Sequence, residues 1–110
     1  AQIEDPQGVE EAEKIAEIPG VDGIFIGPAD LSVGYGKTDQ ASEELHAAML
    51  RVGRAARQNS KAYMSFVPDA QKASEWHEMY GLSIFFVSSE HNWMRNGASK
   101  EANGIHSIDT

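Results

Sequence analysis

Apolar strand-like runs alternate with helix-patterned segments along this chain, and that alternation restricts its fold more than any other feature. Residues 21–26, 61–67 and 82–88 read as strands. The first of these is almost continuously apolar, as in a strand buried on both faces. Between the strands lie helical stripes. Asp5-Pro6 supplies an N-cap and a proline suited to the first helical position, and Val9, Ala12, Ile15, Ala16 and Ile18 follow at helical spacing until Pro19-Gly20. Ser42 caps a second helix, with Glu43 and Glu44 in its first turn and Leu45, Ala48, Met49, Val52, Ala55 and Ala56 on one face. Arg51, Arg54 and Arg57 read as a solvated face of that helix. Pro68-Asp69 opens a third helix carrying Ala73, Trp76, Met79 and Tyr80, stopped at Gly81. A weakly patterned last helix is expected to begin near Asn92. Residues 27–41 read as a long loop rich in Gly, Ser and Asp.

Strict alternation implies an α/β fold with a parallel sheet. Two architectures fit the pattern: a small doubly wound sheet, or half of a (β/α)₈ barrel. A complete barrel takes about 250 residues, so 110 residues do not close one. Only three residues precede Glu4, whereas a strand takes about five. The first strand is therefore expected to be the end of a longer one. Residues 1–96 are read as one α/β domain, and 97–110 as a polar tail expected to fray or be disordered.

Composition removes several function classes. Hydrophobic residues make up 41% and charged residues 24%, which suits a globular core rather than disorder. The 9 basic and 17 acidic residues leave a net charge of −8, and the basic ones form no tract. Nucleic acid and anionic membranes are thus not expected partners. No apolar run reaches bilayer length. With no cysteine, thiolate catalysis, a disulfide framework and a cysteine zinc site are excluded; a cytoplasmic setting is expected.

The candidate site lies where strands end. In Gly27-Pro28-Ala29-Asp30 an apolar run stops abruptly and presents a carboxylate. Parallel α/β sheets bind ligands at that end of their strands. Glu4 lies one β/α repeat upstream, so both acids fall at the carboxyl ends of neighbouring strands, about 4.8 Å apart. Two carboxylates suit Mg²⁺ or Mn²⁺ and leave positions for water and substrate. The competing reading makes Glu4 a surface acid and Asp30 a turn cap.

Gln2-Ile3-Glu4 and the run Pro19-Gly20-Val21-Asp22-Gly23-Ile24-Phe25-Ile26-Gly27-Pro28-Ala29-Asp30-Leu31-Ser32 closely resemble the pyruvate-dependent class II aldolases of the HpcH/HpaI aldolase and citrate lyase family. The resemblance extends from Ala1 to about Trp93 and is strongest up to Ser32. It implies a (β/α)₈ TIM barrel of which this chain is the C-terminal half, from the end of strand 5 to helix 8. It implies Glu4 and Asp30 as metal ligands, Gln2 as a hydrogen-bond partner of the keto acid, and the Ala29 and Asp30 N–H groups as holders of its carboxylate. The implied cofactor is Mg²⁺ or Mn²⁺, with Co²⁺ a further candidate. The implied reaction is reversible cleavage of a 4-hydroxy-2-oxo acid to pyruvate and an aldehyde, and the implied full-length parent is a homo-oligomer. The family's substrate-binding arginine and histidine–aspartate acid/base pair belong to the N-terminal half, so no catalytic acid or base is identifiable here.

This chain departs from its relatives in the bulky third strand, Ala62-Tyr63-Met64-Ser65-Phe66-Val67, and in Val87-Ser88-Ser89-Glu90 after the fourth. Of the histidines, His46 and His77 read as surface groups, His106 falls in the tail, and His91 follows the fourth strand at the ligand end. Two rival readings stay open: a non-catalytic α/β metal-binding remnant or interaction module, and a citrate-lyase-like enzyme acting on a CoA thioester.

Overall fold

The computed structural model describes residues 1–108; Asp109 and Thr110, the end of the expected tail, lie outside them. The elements run β1 (Gln2–Ile3), α1 (Pro6–Glu10), α2 (Ala12–Glu17), β2 (Gly23–Ile26), α3 (Pro28–Gly34), α4 (Glu43–Gln58), β3 (Ala62–Val67), α5 (Ala70–Tyr80), β4 (Ile84–Val87) and α6 (Glu90–His106). The four strands form one sheet in the order β1-β2-β3-β4, every pair parallel. A doubly wound sheet reverses its strand order at a switch point. Here the order follows the chain without reversal, so the sheet matches part of a TIM-barrel-like fold.

Caps foreseen from the sequence form as expected. Asp5 accepts from Gly8 N at 2.6 Å and Ser42 from Leu45 N at 3.3 Å. Asp69 accepts from Lys72 N at 2.8 Å. Gly81 ends α5 at φ 78°, a left-handed conformation that glycine adopts without strain. Three expectations are corrected. The first helical segment is two short helices, broken at Glu11. The loop expected at 27–41 begins as α3, because Pro28 sits in its first turn and Asp30 suits the positive end of its dipole. Residues 97–106, expected as a disordered tail, continue α6, which Ser89 caps through Asn92 N.

Pleating sorts the strands into two faces. Ile3, Ile26, Ser65 and Phe85 are in register on one face; Gln2, Phe25, Met64 and Ile84 are in register on the other. The first face is the covered one. Ile3, Ile24, Ile26, Leu45, Met49 and Val52 are at most 1% exposed there, beneath α4 and its neighbours. Each such side chain contributes about 1.5–3 kcal/mol on leaving water. Arg51 is not simply a solvated residue. It donates twice to the Glu13 carboxylate at 3.0 Å and once to Glu10 O at 2.9 Å, tying α4 to α1 and α2. That hydrogen bonding lowers the Glu13 pKa, although the pair is half-exposed and solvent screens it.

Tyr63 reports on this core through pH. Its ring is 3% exposed and its hydroxyl donates to Met49 O at 2.9 Å. Burial, then the nearby Tyr80, pushes its ionisation far above the ordinary tyrosine range. The folded chain therefore keeps a proton that the unfolded chain releases above about pH 10. This contribution to stability is complete below that pH and falls above it, by about 1.4 kcal/mol per unit. Tyr35 and Tyr80 shift the same way, chiefly through burial. Tyr63→Phe is expected to flatten the alkaline decline by close to one proton, while losing about 1 kcal/mol at neutral pH with its hydrogen bond. Urea midpoints between pH 8 and pH 11 measure both effects, and an unchanged slope would mean that Tyr63 ionises freely in the fold.

Candidate active site

The carboxyl ends of β1 and β2 lie side by side, and both candidate carboxylates leave the sheet there. Glu4 follows β1 directly, and Asp30 is the third residue of α3. Gly27 stands between them. Its N–H donates to Ile3 O at 2.9 Å, holding the two strand ends together. A Cβ built on Gly27 would lie 3.2 Å from Glu4 Cγ, 3.6 Å from Glu4 Oε1 and 3.7 Å from Asp30 Oδ2. Oxygens of both acids thus flank one small space that a larger residue would enter.

Gln2 orients the first of these acids: its Nε2 donates to Glu4 Oε1 at 2.5 Å. Gly27 provides no capping side chain to α3. The first-turn N–H groups, Ala29 and Asp30 among them, have no acceptor within the helix and lie at the positive end of its dipole. Gln2, Glu4, Gly27, Ala29 and Asp30 all line one cleft of about 520 Å³. That volume lies within the ~300–1,000 Å³ typical of small-molecule sites.

Gln40, Lys72 and Trp76 also line this cleft. None was singled out for the site from sequence, because they arrive from the α3–α4 loop and from α5. Trp76 read as a helix-packing residue. It does pack edge-on against Tyr80, with ring centroids 6.0 Å apart, but it also borders the cleft. Lys72 Nζ donates to Glu75 Oε2 at 2.6 Å, and that bond holds its ammonium above the ordinary lysine range.

The donor set suits a divalent cation. Two carboxylates on a glycine floor are hard oxygen donors with room between them, which fits Mg²⁺ or Mn²⁺. Among the described residues, no group of three or more His, Cys, Asp or Glu forms a ligand cluster. Protein oxygens at this place would therefore fill only part of an octahedral shell. No histidine lines the cleft either. His46 Nδ1 meets Tyr80 Oη at 2.9 Å, His77 Nδ1 meets Leu82 O at 2.7 Å, and His91 pairs with Glu90 at 3.4 Å.

A parallel α/β sheet wound in chain order, with its cleft at the carboxyl ends of the strands, defines a class of TIM-barrel-like proteins. Within that class this chain belongs to the HpcH/HpaI aldolase/citrate lyase family, whose profile it matches over residues 1–81. It is 37% identical over 94 residues to the hydroxypyruvate/pyruvate aldolase of Paraburkholderia phytofirmans, covering 84% of this chain and 36% of that protein. It is 33% identical over 108 residues to the 5-keto-4-deoxy-D-glucarate aldolase of Klebsiella pneumoniae, covering 94% and 41%. Its fold matches an HpcH/HpaI aldolase/citrate lyase family protein from Burkholderia cenocepacia with a TM-score of 0.88 and 32% identity, covering 96% and 41%. The chain thus spans well under half the length of these relatives. No described helix is long and apolar enough to cross a membrane.

Proposed function

We propose that this chain is the C-terminal half of a (β/α)₈ aldolase, from the end of strand 5 to helix 8, and carries the binding half of its active site. The reaction is reversible cleavage of a 4-hydroxy-2-oxo acid to pyruvate and an aldehyde. One observation supports this most: Glu4 and Asp30 converge across Gly27 beside the unpaired N–H groups that open α3. Relatives named as hydroxypyruvate/pyruvate and 5-keto-4-deoxy-D-glucarate aldolases support the substrate class.

In cleavage, the C3–C4 bond breaks as the 4-hydroxyl loses its proton. The electron pair passes to the 2-oxo group as an enolate, and C3 later takes a proton to give pyruvate. Glu4 and Asp30 would hold a divalent cation, which would supply positive charge where the enolate develops. The Ala29 and Asp30 N–H groups hold the substrate carboxylate, and the Gln2 amide, fixed on Glu4, donates to the keto acid. Glu4 and Asp30 are assigned to the cation, Lys72 is paired with Glu75, and no histidine lines the cleft among the described residues, so no side chain here is assigned to take the 4-hydroxyl proton. Proton transfer therefore belongs to the remaining strands of the barrel.

The test is complementation. Residues 1–110 alone are expected to release no pyruvate from a 4-hydroxy-2-oxo acid. Joined to the first four β/α units of the Burkholderia relative, they are expected to do so, and EDTA is expected to abolish the activity. Metal-dependent cleavage by 1–110 alone would overturn the division of labour. A folded, metal-loaded hybrid without activity would count against the aldolase reading.

A further inference from the structure

We propose that Lys72 selects the aldehyde half of the substrate: with Trp76 and Gln40 it holds an anionic group, a carboxylate or a phosphate, borne on the carbons beyond C4. The inference rests on the 2-oxo acid reading above and names the substrate class within it. The cleft of about 520 Å³ takes its lining from the carboxyl ends of β1, β2 and β3 in turn. Glu4 follows β1 and Asp30 lies in the helix after β2, so the 2-oxo acid occupies that end. Lys72 and Trp76 enter from α5, which follows β3, and Gln40 from the loop before α4. A substrate extended along the cleft places its distal carbons against these three. The lengths agree: neighbouring strands are about 4.8 Å apart, and extended carbon–carbon bonds of about 1.5 Å carry C5 about 4 Å from C2.

Charge indicates what the distal group is. Lys72 is the only cationic side chain among the described lining residues, in a chain of net charge −8. Helix electrostatics do not account for it. It is the third residue of α5, at the positive end of the dipole, where a cation is unfavourable. Its partner Glu75 lies 2.6 Å away and does not line the cleft; the two side chains are 39% and 42% exposed. Exposed pairs at this spacing are weak, and the contact leaves two of the three ammonium protons for a ligand. The same contact raises the lysine pKa, so the group stays charged through neutral pH. Trp76, Phe66 and Pro68 make the surrounding wall apolar, which strengthens a charge pair formed against it. Gln40 adds an amide donor. A neutral aldehyde would leave the ammonium with no counterpart from the substrate. The place in the fold agrees. In the proposed barrel β3 is strand 7, and the loops after strands 7 and 8 frequently hold phosphate in such barrels.

The test is calorimetric titration, with Mg²⁺ present, of residues 1–110 and of the hybrid with the Burkholderia relative. The probes are 2-oxoglutarate and 2-oxopentanoate, which share the 2-oxo acid end and differ in the carboxylate at C5. Wild type is expected to bind 2-oxoglutarate at least 10-fold more tightly. Lys72→Met should erase that preference while leaving the 2-oxopentanoate affinity within twofold, and Lys72→Arg should keep it within threefold. Trp93→Phe leaves Trp76 as the one tryptophan, and 2-oxoglutarate should then change its fluorescence. In the hybrid, rates of pyruvate addition to glyoxylate and to glyceraldehyde 3-phosphate tell a carboxylate site from a phosphate site, and Lys72→Met should slow the preferred one at least 10-fold while glycolaldehyde is unaffected. Equal affinities for the two probes in wild type overturn the inference and leave the proposed function standing. So does a preference that survives in Lys72→Met, or a bound 2-oxoglutarate that leaves Trp76 emission unchanged. If neither protein binds either probe, the 2-oxo acid reading itself fails and this inference with it.

Discussion

Asp30→Ala is expected to weaken Mg²⁺ or Mn²⁺ binding at least 100-fold, about 2.7 kcal/mol, with little change in fold. The large effect follows from how few protein ligands the cleft offers. Glu4 and Asp30 stand alone on either side of Gly27, and no larger acid cluster exists among the described residues to take over. Removing one of two carboxylates leaves a single charge, which a hydrated cation meets at almost any surface acid. The small effect on folding follows from exposure. Asp30 is exposed at the start of α3, where its dipole interaction is worth about 0.3–1 kcal/mol. Asp22→Ala, also at an exposed acid, is the matched control and should bind as wild type does. Manganese titration followed by electron paramagnetic resonance measures the difference directly. Equal affinities for Asp30→Ala and wild type would remove Asp30 from any metal site and return it to the role of a helix-start residue.

The parts readable from sequence were those governed by local rules. Asp5, Ser42 and Asp69 cap helices because a short polar side chain before an apolar stripe has few better uses. Glu4 and Asp30 both flank Gly27 because each follows a strand and the strands are neighbours. Strand order was not readable. Alternation is common to barrels and doubly wound sheets, and only pairing in space separates them. The helix α3 and the length of α6 escape the sequence pattern for opposite reasons. The proline and acid that start α3 also mark a sharp strand exit, and that reading masks the helix. For α6, no residue is buried, so no apolar period marks its length; the Ser89 cap and Glu90 in the first turn were the available signals. Arg51 joins Glu13 across 38 residues, from one β/α unit to the next, and Lys72 and Trp76 reach the cleft from α5. Those contacts depend on tertiary placement that spacing along the chain does not specify.

Gly53→Val is expected to unfold the chain or to lower its stability by about 3 kcal/mol or more, beyond the usual ~1–3 kcal/mol of overpacking. Glycine within a helix is itself unfavourable by about 1 kcal/mol relative to alanine. Its presence in the middle of α4 therefore needs a steric reason, and the packing supplies one. A Cβ on Gly53 would lie 2.6 Å from the Tyr80 carbonyl oxygen and 2.9 Å from Tyr63 Cε1. The first contact is with backbone at the end of α5, which cannot rotate away. The second is with a buried ring anchored through its hydroxyl to Met49 O. A side chain here must lift α4 from β3, opening the core that Leu45, Met49 and Val52 fill. Gly53→Ala should be destabilising despite its gain in helix propensity, and valine more so. Gly97 provides the contrast. It also lies within a helix, but a Cβ there would meet no atom within 4 Å. Gly97→Ala should raise the helix content of α6 while leaving the global midpoint nearly unchanged. Urea titrations of the three variants, followed by circular dichroism, make the comparison; a Gly53→Ala midpoint equal to that of wild type would mean that α4 does not sit this close to the sheet.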